Sequence, residues 1–352
     1  MEHVSEAKAG LARLGKLNLG FYPTPLHKLE RISQDYGISL YMKREDFSGM
    51  TLFGGNKIRK LEYLLADAKR RGCDTVVTYG ATQSNHAMET VTAARKCGLK
   101  PVLFLAAIVT PDEKDVRANL LLDTILGAEI HIIPAEGRST KQTMADAAPE
   151  ISRYIESLER QGHRVCDIPI GGSTPYGASG FADAYIETME QAESMGLKPD
   201  YLFTATGSGG TLAGLCAGKA MTHDRTDIVA VLVGPKDGAY QSQVTDLADR
   251  TLALLGAKEK ACPDMFRITA DYIGPGYEKP DSAANDDIRY LARAEGIFTD
   301  PVYSGKSFHG MMEYIRSGAV PKGSTVIFLH TGGATALFSE SEIVGDLNTL
   351  KE

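Results

Sequence analysis

The sequence predicts an α/β protein of two lobes, with parallel-rich twisted sheets covered by helices. From about residue 56, apolar segments of strand length alternate with segments of helical periodicity. Strands that alternate with helices form βαβ units, whose parallel sheets are buried on both faces. The chain has 352 residues, which exceeds the size at which a single core usually stops growing. Hydrophobic residues make up 43% and charged residues 24% of the sequence, proportions typical of a globular protein.

Individual elements follow from periodicity and stop signals. Apolar residues at helical spacing predict a first helix, which ends before Gly72: Ile58, Leu61, Leu64, Leu65 and Ala68. Helical periodicity and stop signals also predict helices at 83–97 and about 115–126. Short apolar runs predict buried strands at 74–79, 101–106, 129–133, 201–205, 228–233 and 325–329. The stretch 134–175 is less regular and runs into PIGGSTPYG, whose composition predicts a loop or a crossing between lobes.

We predict a larger domain formed by residues 1–64 and 166–352, and a smaller inserted α/β domain formed by residues 65–165. No apolar run is long enough to cross a bilayer and the N-terminus lacks the apolar stretch of a signal peptide, so a cytoplasmic protein is expected. The formal net charge of −7 argues against nucleic acid or an anionic membrane as the main partner. The cysteines form no C-x-x-C pair and the histidines no metal-binding motif, so we expect reduced thiols and no metal ion.

The first candidate motif is Gly54-Gly55-Asn56-Lys57, directly before the first predicted helix. Schiff-base chemistry needs an amine that is partly deprotonated at neutral pH, and burial lowers the pKa of a lysine. The alternative is a helix-start lysine in solvent. Lys60 lies one turn further along the same face, where it could bind a phosphate. For Arg59 we expect a solvated position.

Two further motifs each follow a predicted strand and open a helix. Gln83-Ser84-Asn85-His86 has more hydrogen-bonding capacity than a helix cap needs, and amides at a helix N-terminus suit a carboxylate. The loop 207–211 has the sequence Gly-Ser-Gly-Gly-Thr, whose backbone N–H groups could converge on a phosphate. It lacks the spacing of a mononucleotide or dinucleotide loop, which disfavours a nucleotide-dependent oxidoreductase.

The C-terminal third contains three turn-rich segments: Gly-Pro-Gly-Tyr ending at Tyr277, Asp-Pro-Val-Tyr-Ser-Gly-Lys with Tyr303 and Ser304, and His-Thr-Gly-Gly with Thr331. Together with the earlier motifs and in this order, they resemble the D-cysteine desulfhydrase and 1-aminocyclopropane-1-carboxylate deaminase family. The opening Tyr-Pro-Thr-Pro-Leu at residue 22 and Lys-Arg-Glu-Asp at residue 43 match as well, so the resemblance runs from about residue 20 to the end. That family has the two-lobed tryptophan-synthase-β-like fold (fold type II) of enzymes that use pyridoxal 5'-phosphate.

The resemblance implies how the cofactor would be held. Lys57 would carry it as a Schiff base, and Asn85 would hydrogen-bond its phenolic oxygen. Lys60 would help the glycine-rich loop to hold the phosphate, and Thr331 would lie near the ring. The loop consists of Gly207, Ser208, Gly209, Gly210 and Thr211.

The resemblance also implies a reaction and its substrate contacts. Ser84, with the backbone around Asn85 and His86, would receive the substrate carboxylate, and Tyr277 and Tyr303 would face the substrate. The family expectation is a homodimer that acts on a small amino acid.

Ser304 would lie beside the pyridine nitrogen, where the cyclopropane deaminases have a glutamate and the desulfhydrases a threonine. A serine therefore favours α,β-elimination on a D-cysteine-like amino acid, giving pyruvate, ammonia and sulfide. Alternatives are elimination from cysteate or 3-chloroalanine, the cyclopropane deaminase reaction, and a non-catalytic cofactor-binding or regulatory protein.

Two features depart from the family pattern. After Gln-Ser-Asn-His, the family continues with one residue and then Arg-Gln, whereas this chain has Ala87-Met88-Glu89. The charged Glu89 in place of an amide could change what the pocket accepts. The loop 49–53 also looks slightly longer than usual.

Overall fold

The computed structural model describes residues 2–49, 54–108, 116–277, 279 and 281–338. The loop 49–53, noted for its length, therefore lies mostly outside the described residues. The helices of the described chain are α1 (Glu2–Leu14), α2 (Glu30–Tyr36), α3 (Asn56–Arg70), α4 (Asn85–Lys96), α5 (Ala118–Ile125), α6 (Thr140–Arg160), α7 (Pro175–Ser194), α8 (Gly210–Thr222), α9 (Tyr240–Leu255), α10 (Ser282–Glu295) and α11 (Ser304–Arg316). Its strands are β1 (Leu26–Lys28), β2 (Ser39–Arg44), β3 (Thr75–Ala81), β4 (Lys100–Ala107), β5 (Glu129–Pro134), β6 (Val165–Ile168), β7 (Tyr201–Thr206), β8 (Asp227–Leu232), β9 (Phe266–Thr269) and β10 (Thr325–His330).

The strands form two sheets. The larger has six strands in the order β1-β2-β10-β7-β8-β9, and the smaller has four in the order β5-β4-β3-β6. All neighbouring pairs are parallel except β1 and β2. Helices cover both sheets, and the central strands β7, β8 and β10 are buried along almost their whole length, as parallel strands are when both faces are covered. The predicted α/β class is confirmed.

Both halves of the chain contribute to the larger sheet. Strand β2, from the first fifty residues, pairs in parallel with β10, which lies near residue 330. The smaller sheet uses strands between residues 75 and 168. The division into domains 1–64 with 166–352 and 65–165 stays a prediction.

The expectation of irregular structure over 134–175 is wrong for residues 140–160, which form the long helix α6. Ser139 caps its start by accepting a hydrogen bond from the backbone N–H of Gln142 at 3.2 Å. Its buried apolar residues include Met144, Ile151 and Leu158, one for every two turns. So sparse a stripe, interrupted by a proline at position 149, gives only a weak helical signal.

The described helices are too short or too polar to include a candidate membrane span. All five cysteines are free thiols. The carboxyl ends of β3 and β7 lead directly into the two motifs predicted to follow strands, and β10 leads into the His-Thr-Gly-Gly segment. In parallel α/β sheets, ligands bind beyond the carboxyl ends of strands, so these strand ends from the two sheets position the candidate site.

Candidate active site

The start of α3 is tied to two other elements of the site. The backbone N–H of Asn56 donates to the carbonyl of Thr331 at 3.0 Å, and Gly55 forms an isolated bridge with Gly332. The side-chain amide of Asn56 donates to Oγ1 of Thr211 at 2.9 Å. The first turn of α3 therefore meets the end of β10 and the start of α8, and Lys57 lies at that junction.

Lys57 is half-buried, and its Nζ donates to Oδ1 of Asn56 at 2.6 Å. Burial lowers the pKa of the Lys57 amine, whereas the negative charges of Glu89 and Asp300 act in the opposite direction. The side chain is therefore not that of a solvent-exposed helix-start lysine. An amine whose pKa is lowered by burial is available as a nucleophile and as a base.

The glycine-rich loop and Lys60 together form an anion cradle. Nζ of Lys60 is buried and donates to the carbonyl of Gly171 at 3.0 Å. A Cβ on Gly210 would lie 3.1 Å from that Nζ and 2.7 Å from Oγ of Ser173, so glycine keeps this space open. Gly209 adopts a left-handed conformation with φ of 86°, and α8 begins at the next residue.

This cradle fits a phosphate ester. Burial, with a smaller contribution from Lys57, holds the pKa of Lys60 well below its usual value, and an anion placed beside it would favour the charged amine. The hydroxyl of Ser173 accepts from the backbone N–H of Gly210 at 3.2 Å and donates to Oγ of Ser208 at 2.9 Å. Helix N-termini with free backbone N–H groups bind anions well.

Arg59 differs from the expectation of a solvated position, because its side chain is 1% exposed. Its guanidinium donates to Oε2 of Glu45 at 2.6 Å and to Oε1 of Glu187 at 2.7 Å. Asn56 and Lys57 face the site, whereas Arg59 lies on the opposite side of the same helix turn and packs over the ring of Tyr22. Its two carboxylate partners come from distant parts of the sequence, so helical periodicity alone gave no sign of them.

Ser84 and Asn85 begin α4. Oγ of Ser84 accepts from the backbone N–H of Ala87 at 3.2 Å and thus caps the helix, while no acceptor among the described residues takes its own hydrogen. Oδ1 of Asn85 accepts from Nδ2 of Asn119 at 2.8 Å and from Oγ1 of Thr335 at 3.4 Å. Because these donors occupy the amide oxygen, the NH₂ group of Asn85 is the part that can serve a ligand.

His86 is buried and structural in character. Thr78 donates its hydroxyl hydrogen to the carbonyl of Ile168 at 2.8 Å, so it accepts from Nε2 of His86, also at 2.8 Å. Burial, followed by the charges of Lys57 and Lys60, holds the pKa of His86 well below its usual value. The ring is therefore neutral and ties α4 to Thr78 of β3, whose hydroxyl in turn bonds to β6.

Tyr277 and Tyr303 lie together, with their hydroxyl groups hydrogen-bonded to each other and their rings 6.0 Å apart in an edge-to-face arrangement. The ring of Tyr303 lies 3.9 Å from the position of a Cβ on Gly207. Lys306 donates to the carbonyls of Ile273 at 2.8 Å and Gly276 at 2.6 Å, which ties the loop of Tyr277 to α11.

Ser304 opens α11 and is hydrogen-bonded to Asp300. Its hydroxyl donates to Oδ1 of Asp300 at 2.5 Å, with the carbonyl of Gly332 3.2 Å away. The carboxylate of Asp300 also accepts from the backbone N–H groups of Val302, Tyr303 and Ser304 at 2.7–2.9 Å. Asp300 is fully buried, and this burial raises its pKa, although the hydrogen bonds act to lower it. The buried carboxylate thus fixes both the helix start and the serine hydroxyl.

Several residues around the site had no role in the sequence-based prediction. Asp300 stood inside a quoted motif, and Ser173 stood in the loop predicted as a crossing between lobes. The pattern Asp-x-x-x-Ser at a helix start is a signal that could have identified Asp300 as a cap. Asn119 and Thr335 had no local signal, because they reach Asn85 only through the tertiary fold.

Comparisons with known proteins identify the family of this chain. A family model described as pyridoxal-phosphate dependent enzyme matches residues 17–332. The chain belongs to this family. A 1-aminocyclopropane-1-carboxylate deaminase of Methylobacterium nodulans is 35% identical over 93% of this chain and 97% of its own length. A D-cysteine desulfhydrase of Serratia proteamaculans is 36% identical over 94% of this chain and 97% of its own length.

Solved structures confirm the fold. The crystal structure of an ACC deaminase homologue is 35% identical, covers 96% of this chain and 98% of its own, and has a TM-score of 0.85. Threonine deaminase isoform 2 from Solanum lycopersicum, at 15% identity, covers 98% of this chain and 88% of its own with a TM-score of 0.62. The predicted fold type II and the cofactor, pyridoxal 5'-phosphate, are confirmed, and the protein is a pyridoxal-phosphate-dependent lyase.

Proposed function

We propose that this lyase catalyses α,β-elimination on a small, D-cysteine-like amino acid. One molecule of water is consumed, and pyruvate, ammonia and hydrogen sulfide are released. The observation that carries this choice is the hydroxyl of Ser304 at the start of α11, where the resemblance calls for a carboxylate in a ring-opening deaminase. The nearby carboxylate of Asp300 does not replace it, because both of its oxygens already accept hydrogen bonds within the α11 cap.

Pyridoxal phosphate, when bound, supplies an electron sink for the bond broken at the α-carbon. Lys57 would hold it covalently, and the loop 207–211 with Lys60 would bind its phosphate. The NH₂ group of Asn85 would donate to its phenolic oxygen, and Thr331 would lie near its ring. Two features support this assignment: the open anion cradle at Gly210 and the direct link from Asn56 to Thr211.

The remaining residues would act on the substrate. The free hydroxyl hydrogen of Ser84 and the backbone N–H groups that begin α4 would bind the substrate carboxylate, which the helix dipole favours. Nζ of Lys57 would remove the proton from the α-carbon as the general base. The hydroxyl pair of Tyr277 and Tyr303 would face the leaving group, where a shared hydrogen can move to the departing sulfur. We also propose a cytoplasmic homodimer.

A 1-aminocyclopropane-1-carboxylate deaminase is the second candidate. It is favoured by the overall similarity, because relatives bearing the two names are almost equally identical to this chain, at 35% and 36%. Cysteate and 3-chloroalanine would use the same elimination with sulfite or chloride as the leaving group.

A direct substrate comparison tests the proposal. The purified holoenzyme is mixed separately with D-cysteine, L-cysteine, cysteate, 3-chloroalanine and the cyclopropane amino acid, and keto acid, ammonia and sulfide are measured. We expect D-cysteine to give equal amounts of pyruvate, ammonia and sulfide at the highest kcat/KM. Keto acid from the cyclopropane substrate at a higher kcat/KM would reject the elimination in favour of the second candidate.

Replacing Ser304 with glutamate is expected to move the preference toward ring opening. A carboxylate beside the pyridine nitrogen favours its protonation and strengthens the electron sink, so the ratio of cyclopropane to D-cysteine turnover should rise by about tenfold or more. Ser304→Thr is the matched control, because it keeps the hydroxyl that donates to Asp300, and it should leave the ratio near that of the unmodified enzyme. An unchanged ratio and cofactor spectrum in Ser304→Glu would contradict the placement of Ser304.

A further inference from the structure

Glu89 reaches the helix that bears Lys57 from a neighbouring helix. It lies on α4, is 2% exposed, and its Oε2 accepts from the backbone N–H groups of Lys57 and Ile58, both at 3.1 Å. The residue at the cap position of α3, Gly55, has no side chain to satisfy these donors. A Cβ on Gly55 would lie 2.5 Å from Oε1 of Glu89, so the glycine leaves room for the carboxylate. Glu89 thus supplies the missing cap of α3.

The cap does not require a charge. A glutamine amide oxygen could accept the same two N–H bonds, and an amide is what the resembled family has at this position. A buried carboxylate is costly unless nearby charges compensate it. The compensating charges here are two amines of α3, Lys57 and Lys60, which both interact electrostatically with Glu89. The carboxylate therefore acts on Lys57 in a way that an amide would not.

We infer that Glu89 is a positioning residue that sets the protonation state of the Lys57 nitrogen, while its carboxylate holds the first turn of α3 in place. The inference rests on the proposed role of Lys57 as the cofactor-bearing base. An ionised Glu89 stabilises a protonated Lys57 nitrogen, and a neutral Glu89 releases that stabilisation. Lys57 must gain and lose a proton in each cycle, so Glu89 would set the pH range in which both steps proceed.

The surrounding charges are consistent with such a pair. Burial raises the pKa of Glu89 to about 7, against the opposing effects of Lys57, Lys60 and the two backbone N–H groups. Burial lowers the pKa of Lys57, against Glu89 and Asp300, which faces it from the segment before α11. His86, one turn earlier on α4, is neutral and adds no charge. Each charge therefore changes the pKa of the other group, and the two do not titrate independently.

The test is the pH dependence of the visible cofactor absorbance of the holoenzyme, which reports the proton on the Lys57 nitrogen without turnover. In Glu89→Gln the cap is kept and the charge is lost, so the protonated form loses a stabilising neighbour. We expect the midpoint to move to lower pH by about one unit or more. The acid limb of the kcat/KM profile should move in the same direction. Glu89→Asp keeps the charge, so its midpoint should lie close to that of the unmodified enzyme.

Glu62→Gln is a matched control on α3. The Glu62 carboxylate also accepts two backbone N–H bonds, from Leu19 at 2.9 Å and Gly20 at 3.1 Å, but its nearby amine is Lys16. Its removal should leave the midpoint unchanged. If Glu89→Gln is purified without cofactor, the titration is repeated with excess pyridoxal phosphate, and the direction in which its midpoint moves decides.

Two outcomes would overturn the inference. A midpoint in Glu89→Gln equal to that of the unmodified enzyme, or an equal shift in Glu62→Gln, would reduce Glu89 to a helix cap. Failure of the proposed function is distinguishable, because then the unmodified holoenzyme itself would lack a visible band that depends on Lys57.

Discussion

Replacement of Lys57 with alanine is expected to abolish turnover and the visible absorbance of the bound cofactor. The substitution removes both the amine that holds the cofactor covalently and the base that takes the α-proton, so kcat/KM should fall by at least about 10³-fold. Initial rates of keto-acid formation and the absorbance spectrum with added pyridoxal phosphate measure the two effects. Borohydride reduction followed by mass spectrometry should label Lys57 in the unmodified enzyme alone.

The matched control is Lys69→Ala. Lys69 lies in the last turn of the same helix and is exposed, so its loss should leave the rate and spectrum unchanged. Lys57→Arg keeps a positive charge at the junction but cannot form the covalent link, and it should be as inactive as the alanine variant. Normal turnover in Lys57→Ala would refute the mechanism, because no other described lysine has the same position. The nearby Lys60 does not, since its Nζ donates to the carbonyl of Gly171 inside the anion cradle.

The sequence predicted those parts of the fold that depend on local pattern. Strands β7, β8 and β10 are continuous apolar runs followed by turn signals, and each was predicted to within about one residue. Helix α6 was missed because its apolar stripe is sparse and contains a proline. Periodicity reports burial on a wide face, so an element with a narrow buried face gives little signal.

The candidate site shows a similar division. The motifs after β7 and β10 could be predicted to meet, since the carboxyl ends of these parallel strands share one edge of the larger sheet. The motif after β3 belongs to the smaller sheet, so only the family resemblance placed it beside them. The partners that orient them could not be predicted in this way. Asn119 reaches Asn85 across 34 positions, and Glu89 reaches Lys57 across 32. The sequence marked Glu89 only as a departure from a family pattern, and its effect on α3 follows from the packing of two helices.

Arg59 illustrates the same limit for charged residues, and its replacement should have the largest effect on stability. Next to two lysines at a helix start, it looks like part of a solvated basic face, yet it lies between the carboxylates of Glu45 and Glu187. Arg59→Met keeps much of the side-chain volume but leaves both carboxylates without their shared partner. We expect the free energy of unfolding to fall by about 3–5 kcal/mol. Urea-induced unfolding, followed by circular dichroism, measures the change.

Arg250→Met is the control for this prediction. Arg250 pairs with Asp246 at 2.8 Å on the surface, and both side chains are more than half exposed, so its loss should change stability by less than about 1 kcal/mol.

The difference in the free energy of unfolding between Arg59→Met and the unmodified protein should also depend on pH. Although burial opposes ionisation of Glu187, Arg59 and Lys43 hold its pKa below the usual value. A lowered carboxyl pKa contributes stability above the unfolded-state pKa, and that contribution is lost as the pH falls through the folded-state pKa. The difference in unfolding free energy between the unmodified protein and Arg59→Met should therefore become smaller as the pH is lowered. A difference that stays constant would show that Arg59 acts through its packing against Tyr22 instead.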